Sequence, residues 1–415
     1  MSYLQAIRLI PRDAWKLMWV SVVVGFGYFG IYGVVFNLYV LRLGYGPEFV
    51  GVLNGTTFLA SALCAVPAGM VGRRWGLRRG ILGGYGLWLV ASILLPLTQW
   101  IPPPFRTAWL LMAFPTAWIG AILFGVNRAP YLVALTSAQE RTHAFSISLA
   151  INSTSAVVGS LVAGFLPGLL AGALGVSLED PLPYILTLCL PPLLYLAIVP
   201  SLWSLRDIQA SHQGQAYVAS RAPSTLVAAM VLFSVLAVTA ESAVKTFFNV
   251  YMDSSLHATT TTIGAILAAG QFLAIPAALA TPLLATRWGK FRTILGGTLG
   301  LVAGALLLAY SPQVVAAGLG YIGMAMLVAI LDPMRTIYHQ EIIAAEWRST
   351  MAGAAIMAVR VGSAGMVGAG GFLITGFGYP AMFTLAAILT FAGASFFGGF
   401  FRRPSAVPAS APSTG

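Results

Sequence analysis

Six charged side chains stand inside long apolar stretches of the sequence: Arg128, Glu241, Lys245, Asp332, Arg335 and Arg360. A charge at the centre of a bilayer costs about 2.5–3.5 kcal/mol on insertion scales, so each of them is a candidate functional group. Counting along the apolar stretches places Glu241 and Arg360 near mid-depth. Arg128, Asp332 and Arg335 fall deeper, toward the cytoplasmic face predicted below.

Glu241 is the strongest candidate for proton chemistry, because it is the only acid near the middle of a helix expected to line a central cavity. A carboxyl group at that depth can bind and release a proton, which would couple proton movement to substrate binding at one residue. The alternative is structural: Lys245 follows at the i+4 spacing of a helical ion pair and could hold Glu241 ionised. Both hypotheses stand at this point.

The other embedded charges also allow two arrangements. Asp332 and Arg335 have the i, i+3 spacing of a local ion pair, or Asp332 could pair with Arg128 from the equivalent helix of the other half and close the cytoplasmic side. Arg360 has no partner in its own helix. It could hold an anionic group of a substrate or a carboxylate on another helix, since a guanidinium suits bidentate carboxylate contacts.

Aromatic and weakly polar side chains accompany these charges. Pockets for drug-sized molecules are largely apolar with a few placed polar groups, and Phe36-Asn37 recurs as Phe248-Asn249, 212 residues later. The predicted substrate-binding set is Tyr28, Tyr32, Asn37, Trp118, Phe248, Asn249, Gln271 and Arg360, although some of these side chains could instead serve packing. No cofactor or metal is expected; His339 lies near Glu341 but no second histidine is close by.

These residues must be positioned by membrane helices. The chain has 415 residues, of which 58% are hydrophobic and 8% charged, against about 45–50% apolar and 25% charged in soluble proteins. Apolar runs of about 20 residues, enough to cross hydrocarbon, cover most of it. We predict an all-α membrane protein with twelve transmembrane helices, at roughly 15–42, 48–72, 79–100, 107–136, 142–172, 182–203, 224–253, 260–284, 291–310, 313–344, 348–376 and 380–402.

The helices divide into an N-terminal six-helix bundle (1–203), a cytoplasmic linker (204–223), a C-terminal six-helix bundle (224–402) and a disordered tail (403–415). Sixteen basic residues fall on the side of both termini, against only Arg42 and Arg106 on the other. Because cytoplasmic loops carry the excess of Lys and Arg, both termini are predicted to be cytoplasmic. The net charge of +11 therefore fits anionic lipid headgroups rather than nucleic acid.

A basic turn is duplicated at half the chain length. RRWGLRRGILGG at 73–84 returns as TRWGKFRTILGG at 286–297. Each copy lies between two apolar stretches, so the chain is two copies of one membrane-embedded unit. Such repeats place a substrate site between the halves, near the bilayer midplane.

This pattern resembles the major facilitator superfamily over essentially the whole chain. The family's loop motif, Gly-x-x-x-Asp-x-x-Gly-Arg-Lys/Arg, is matched by Gly69, Gly76, Arg78 and Arg79, and in the second copy by Gly289, Lys290 and Arg292. The family's aspartate is replaced by Arg73 and Thr286. In the family that acid helps to close the cytoplasmic face, so the resemblance implies another latch here. Glu140 and Glu346 occupy matching places after the fourth and tenth helices and could pair with the loop arginines.

The resemblance implies a secondary active transporter that works by alternating access in the cytoplasmic membrane and is not an enzyme. A sugar carrier would be expected to show more Asn, Gln, Asp and Glu in its helices, so the composition favours an amphiphilic or aromatic substrate. With Glu241 as the proton-coupling residue, we predict proton-coupled efflux of such a molecule. The alternatives are an importer or facilitator of a polar metabolite, and a flippase-like carrier of lipid or lysolipid. We expect a monomer whose partners are its substrate, protons and the lipid bilayer.

Overall fold

The computed structural model describes residues 11–208, 224–344 and 347–402. Its helices, here numbered α1 to α12, are α1 Arg12–Arg42, α2 Pro47–Trp75, α3 Leu77–Leu94, α4 Pro103–Leu135, α5 Ala138–Leu174, α6 Leu182–Trp203, α7 Ser224–Ser254, α8 Thr260–Leu279 with Thr281–Trp288, α9 Lys290–Tyr310, α10 Val314–Glu341, α11 348–377 and α12 379–400. The prediction of twelve helices is confirmed.

Ten helical stretches of the described chain are long and apolar enough to cross a bilayer. One of them, Thr350–Phe400, contains nearly all of α11 and the whole of α12, which are joined at Gly378, where φ is 81°. The ten stretches therefore account for eleven helices, and α3 is the twelfth. It has 18 residues and is followed by a short 3-10 turn, Pro96–Trp100. The predicted third span therefore reached too far as a single α-helix, because Pro96 removes a backbone donor and changes the hydrogen-bonding pattern.

Two of the helices depart from regular geometry at mid-depth. The segment Gly25–Tyr32 of α1 is π-helical, a rare form that is frequent at functional sites. Helix α7 is interrupted at Val238, between Ser224–Ala237 and Thr239–Ser254. Discontinuous helices near the midplane are typical of transporter substrate and ion sites. The sequence predicted neither irregularity.

The first six helices and the last six form the two halves of the molecule. Most of the proposed linker, residues 209–223, and the proposed tail, 403–415, lie outside the described residues, as does Glu346. The halves approach one another through α2 against α11 and through α5 against α8, with α1 and α7 between them.

The hydrophobic core differs between the two ends of the bundle. At the end where α1 finishes at Arg42, one buried cluster contains residues of both halves, including Phe36, Tyr39, Phe247 and Phe383. Toward the end where α2 finishes at Trp75, the cores separate into one cluster from the first half and one from the second. We call these the sealed end and the open end.

The duplicated basic turn lies at the open end and joins α2 to α3 and α8 to α9. Its glycines, Gly76 and Gly289, have φ values of 95° and 78°. Side chains with a Cβ rarely adopt this conformation, so glycine permits the abrupt turn between two helices in both copies. The repeat found in the sequence is therefore a repeat of backbone geometry.

Candidate functional site: the interface between the two halves

An ion pair joins the halves at the sealed end. The guanidinium of Arg42, at the end of α1, donates from both terminal nitrogens to the carboxylate of Asp253 in α7, at 2.8 and 2.7 Å. Both side chains are about one-tenth exposed. Arg42 also approaches Glu179 at 3.4 Å and lies over the ring of Tyr184. Bidentate geometry and burial make this a strong class of charge pair.

Two asparagines form a reciprocal clasp deeper in the same interface. Asn37 of α1 donates to the carbonyl of Thr246 in α7 at 2.9 Å, and Asn249 of α7 donates to the carbonyl of Val34 in α1 at 3.0 Å. The two bonds are related by the internal repeat, because both donors and both acceptors are 212 residues apart. The Asn37 oxygen also accepts a bond from Asn54. We call this arrangement the asparagine clasp.

Small residues allow α5 and α8 to touch closely between the clasp and mid-depth. A methyl group added to Gly264 would lie 2.6 Å from the Cα of Gly164 and 2.7 Å from the carbonyl oxygen of Ser160. Further in, the amide of Gln271 in α8 donates to the hydroxyl of Ser160 at 3.1 Å and approaches the carbonyl of Phe29 at 3.4 Å. Cross-half contacts thus reach mid-depth from the sealed side.

Glu241 lies in the first turn after the interruption of α7, and its carboxylate meets Arg335 of α10 at 3.9 Å. Arg335 also donates to Thr298 at 3.3 Å and lies over Phe233. Lys245 is exposed one turn further toward the sealed end. Of the alternatives left open by the sequence, the described ion pair of Glu241 is with Arg335, whereas Lys245 acts on Glu241 electrostatically without such a contact. The local pair of Asp332 with Arg335 is not among the described ion pairs.

Arg128 is held inside the first half. Its guanidinium donates to the hydroxyls of Ser21 in α1 and Ser148 in α5. Asp332 is exposed on α10, and in this conformation the described contacts do not join it to Arg128. The proposed bridge between them is therefore not formed while this end of the bundle is open.

Aromatic rings form a continuous group at mid-depth between α1, α2 and α4. Tyr28, in the π-helical segment, meets the ring of Trp118 at 5.1 Å, and Trp118 meets Phe58 at 6.2 Å. Arg360 of α11 lies over Phe58, 5.9 Å from the ring centre, so it approaches this group from the other half. Two predicted binding residues, Tyr28 and Trp118, are thus in contact, and Arg360 is beside them.

Other predicted binding residues are engaged in packing in this conformation. Tyr32 is buried and donates to the carbonyl of Ser92 at 3.0 Å. Phe248 is buried and stacked on Tyr321. Asn37 and Asn249 hold the clasp. Their predicted contact with substrate remains a prediction for a conformation in which the sealed end opens.

At the open end, the loop charges contact their own halves. Arg78 donates to the carbonyl of Trp203 at 2.6 Å, and Lys290 pairs with Glu341. Arg73, Arg79 and Arg292 are exposed. Glu140 accepts a bond from the backbone N–H of Ser137 at 3.0 Å and so caps the start of α5. A Cβ atom at Gly69 would make only an ordinary van der Waals contact, so lack of space does not account for a glycine at this position of the motif.

The sequence alone does not identify the ion pair between Arg42 and Asp253 at the sealed end. The sequence identifies Arg42 only as a loop charge, and it does not single out Asp253, Phe58, Ser21 or Ser148. One signal could have revealed the ion pair: Arg42 and Asp253 end the two helices that also carry the repeated Phe-Asn pairs. Charge complementarity at equivalent helix ends is visible without a structure.

The family model of the Major Facilitator Superfamily matches residues 17–366 and 230–415. The chain belongs to the major facilitator superfamily. The comparison with curated proteins found no match to the sequence. Among the described residues, no cluster of three or more His, Cys, Asp or Glu side chains could hold a metal ion.

Solved structures of transporters share this superfamily fold. A mutant of the nucleoside transporter NupG superimposes with a TM-score of 0.75 at 14% identity, covering 94% of this chain and 100% of that chain. A POT family transporter in complex with a thioalcohol-conjugated peptide gives 0.73 at 14%, covering 95% and 97%. A bacterial homolog of the human lysosomal transporter Spinster, inward-facing and unoccupied, gives 0.70 at 12%, covering 93% and 96%. At these identities the likeness shows the fold, and family and fold together support a transport role in a membrane.

Proposed function

We propose that this superfamily member is a proton-coupled exporter of amphiphilic or aromatic small molecules that works by alternating access. The observation that carries the coupling is the position of Glu241: it lies at mid-depth, beside the interruption of α7, and its nearest charge partner is on another helix. A 3.9 Å ion pair between α7 and α10 can be exchanged for a proton or for a substrate contact. Such an exchange at a single carboxylate is a simple form of coupling.

The open end faces the cytoplasm in this proposal, and the membrane is the cytoplasmic membrane. The basic residues support this orientation, because the two arginines of the opposite side are satisfied by the protein itself. Arg42 pairs with Asp253, and Arg106 donates to the carbonyls of Ile101 and Gln99 at 2.8 and 2.7 Å. The excess of exposed basic side chains then lies on the side of the termini, as in cytoplasmic loops.

The test is flux of a fluorescent aromatic probe in proteoliposomes. A gradient that is acid inside should drive uptake of the probe if protons exchange against it, whereas a gradient that is acid outside should drive uptake if the two move together. Glu241→Gln should abolish the gradient-driven flux and leave probe exchange without a gradient. Asp207→Asn, an exposed acid outside the helices, is the matched control and should behave as wild type.

The outcomes separate the alternatives. Gradient-driven flux that survives Glu241→Gln would contradict the coupling role. Uptake driven only by an acid-outside gradient would indicate an importer. Flux that is indifferent to both gradients would indicate a facilitator.

A further inference from the structure

We propose that the substrate is an aromatic organic anion, whose ring lies against Tyr28, Phe58 and Trp118 and whose acidic group is bound by Arg360. This inference rests on the proposed function for its claim of transport, but the binding it describes can be tested by itself. Among the amphiphilic or aromatic molecules of the proposed function, the substrate is then expected to be negatively charged.

The first step is the continuity of the group of side chains. Arg360 lies over Phe58, Phe58 contacts Trp118, and Trp118 contacts Tyr28. These four side chains come from α11, α2, α4 and α1, so they include both halves of the molecule. A flat apolar body in contact with the three rings would lie beside the guanidinium of Arg360, at the depth where two-fold transporters bind substrate.

The second step is the set of polar atoms left without partners. The Tyr28 hydroxyl, the Trp118 indole N–H and the Gln271 amide oxygen are buried and make no hydrogen bond within the described structure. A buried polar group without a partner costs about 1–3 kcal/mol. Two of these three groups can donate, and Arg360 adds further donors. A ligand that satisfies the Tyr28 and Trp118 donors together with Arg360 must be rich in acceptors, as a carboxylate is.

The third step is the balance of charge. The embedded basic side chains Arg128, Lys245, Arg335 and Arg360 outnumber the acidic side chains Glu241 and Asp332. Glu241 forms an ion pair with Arg335 and also interacts electrostatically with Asp332, Lys245 and Arg360, whereas Arg128 donates to two hydroxyls. The cluster around Glu241 therefore holds three cations, Lys245, Arg335 and Arg360, against two carboxylates, which leaves one positive charge in excess. An embedded cation excess favours a negatively charged ligand over a cationic one.

The experiment compares three ligands with the same ring system: naphthoate, the neutral naphthamide and the cationic naphthylmethylamine. Binding to the purified full chain is measured by tryptophan fluorescence and by thermal stabilisation, since a ligand that binds the folded state raises its apparent stability. Naphthoate should bind more tightly than the other two. Arg360→Gln should weaken naphthoate by about tenfold or more, equivalent to about 1.4 kcal/mol, and leave naphthamide unchanged.

Further variants keep the test interpretable. Arg402→Gln changes an exposed arginine two residues after the end of α12; it is the matched control and should bind as wild type. Arg360→Lys should recover part of the affinity for naphthoate. Trp118→Phe keeps an aromatic ring but removes the indole donor, and it should weaken naphthoate more than naphthamide.

The proposal is overturned if naphthylmethylamine binds as tightly as naphthoate, or if Arg360→Gln leaves naphthoate binding unchanged. Its failure differs from failure of the proposed function. A cationic probe moved by the pH gradient through Glu241, with no naphthoate binding, would leave the transporter intact and reject the anion. Tight naphthoate binding without gradient-driven flux would support the anionic ligand and reject proton-coupled transport.

Discussion

The two ends of the interface between the halves use charged residues in opposite ways. At the sealed end, Arg42 of one half pairs with Asp253 of the other, and the asparagine clasp crosses the same boundary. At the open end, the described ion pairs stay within one half, as Lys290 does with Glu341. One end is therefore held closed by complementary groups, and the other carries separated groups that can meet only if the halves rotate.

The loop motif at the open end lacks the acid that the family carries there. The family's aspartate is replaced by Arg73 and Thr286, so the usual means of closing this end is absent from both copies. Arg128, which is half-buried, and Asp332, which is exposed, lie on equivalent helices of the two halves. We propose that they meet when this end closes and the sealed end opens.

The largest expected effect follows from breaking the ion pair at the sealed end. Asp253→Asn leaves the Arg42 guanidinium nearly buried without its carboxylate, and truncating one partner of such a pair costs about 2–5 kcal/mol. The free-energy preference for the sealed conformation should decrease, and the halves should separate at this end. The measurement is the distance between spin labels at Pro104→Cys and Ser255→Cys, two exposed positions on opposite halves.

A charge exchange is the control for that prediction. Arg42→Asp combined with Asp253→Arg keeps both charges and should restore the short distance in part. If Asp253→Asn leaves the distance unchanged, the ion pair does not hold this end closed.

A smaller effect should follow from separating α5 and α8. In Gly264→Val the added side chain would overlap the backbone of Gly164 and the carbonyl of Ser160. Overpacking of this kind costs typically about 1–3 kcal/mol. We expect the same pair of labels to move apart, with slower transport. Gly323→Val, at a helical glycine with open space around it, is the control and should change neither quantity.

The asparagine clasp should contribute less for each bond. Asn37→Ala or Asn249→Ala removes a neutral hydrogen bond worth about 0.5–1.5 kcal/mol. Because each asparagine bonds to the backbone of the opposite helix, the two single variants should shift the label distance by similar amounts. Unequal shifts would mean that the two bonds are equivalent in position but contribute different free energies to the sealed conformation.

The smallest effect is expected at the open end. Asp332→Asn should leave the resting distances unchanged, because Asp332 makes no described contact with the other half here. It should slow turnover by only a few-fold, since exposed ion pairs are worth about 0–1 kcal/mol. Turnover is measured as initial flux, and exchange of the two charges, Arg128→Asp with Asp332→Arg, should recover part of it. Turnover that is insensitive to Asp332→Asn would remove this residue from the latch.

Much of the fold could be predicted from the sequence, because hydrophobic length and the duplicated RWG turn are local signals. The twelve helices and the turns at Gly76 and Gly289 follow from them. Partner choice could not be predicted. The i+4 spacing favoured Lys245 as the partner of Glu241, but tertiary packing brings Arg335 of α10 to that carboxylate.

The candidate site was predicted in composition but not in arrangement. Tyr28, Trp118 and Arg360 were singled out as aromatic or charged residues in apolar helices, and they do approach one another. Asn37 and Asn249 were singled out on the same grounds, yet their amides bond to the opposite half. Residue type identifies polar groups that matter inside a membrane, whereas only the conformation decides whether they meet a substrate or each other.

The most direct test of alternating access measures both ends of the same protein. Spin-label pairs at Pro104→Cys with Ser255→Cys and at Arg74→Cys with Arg287→Cys report the sealed and the open end, in a chain whose own Cys64 and Cys189 are replaced by serine. Distances are recorded in lipid nanodiscs over a pH series, with and without Asp253→Asn. The account predicts that the first pair lengthens whenever the second shortens. Distances that change in the same direction, or only at one end, or at neither end, would contradict it.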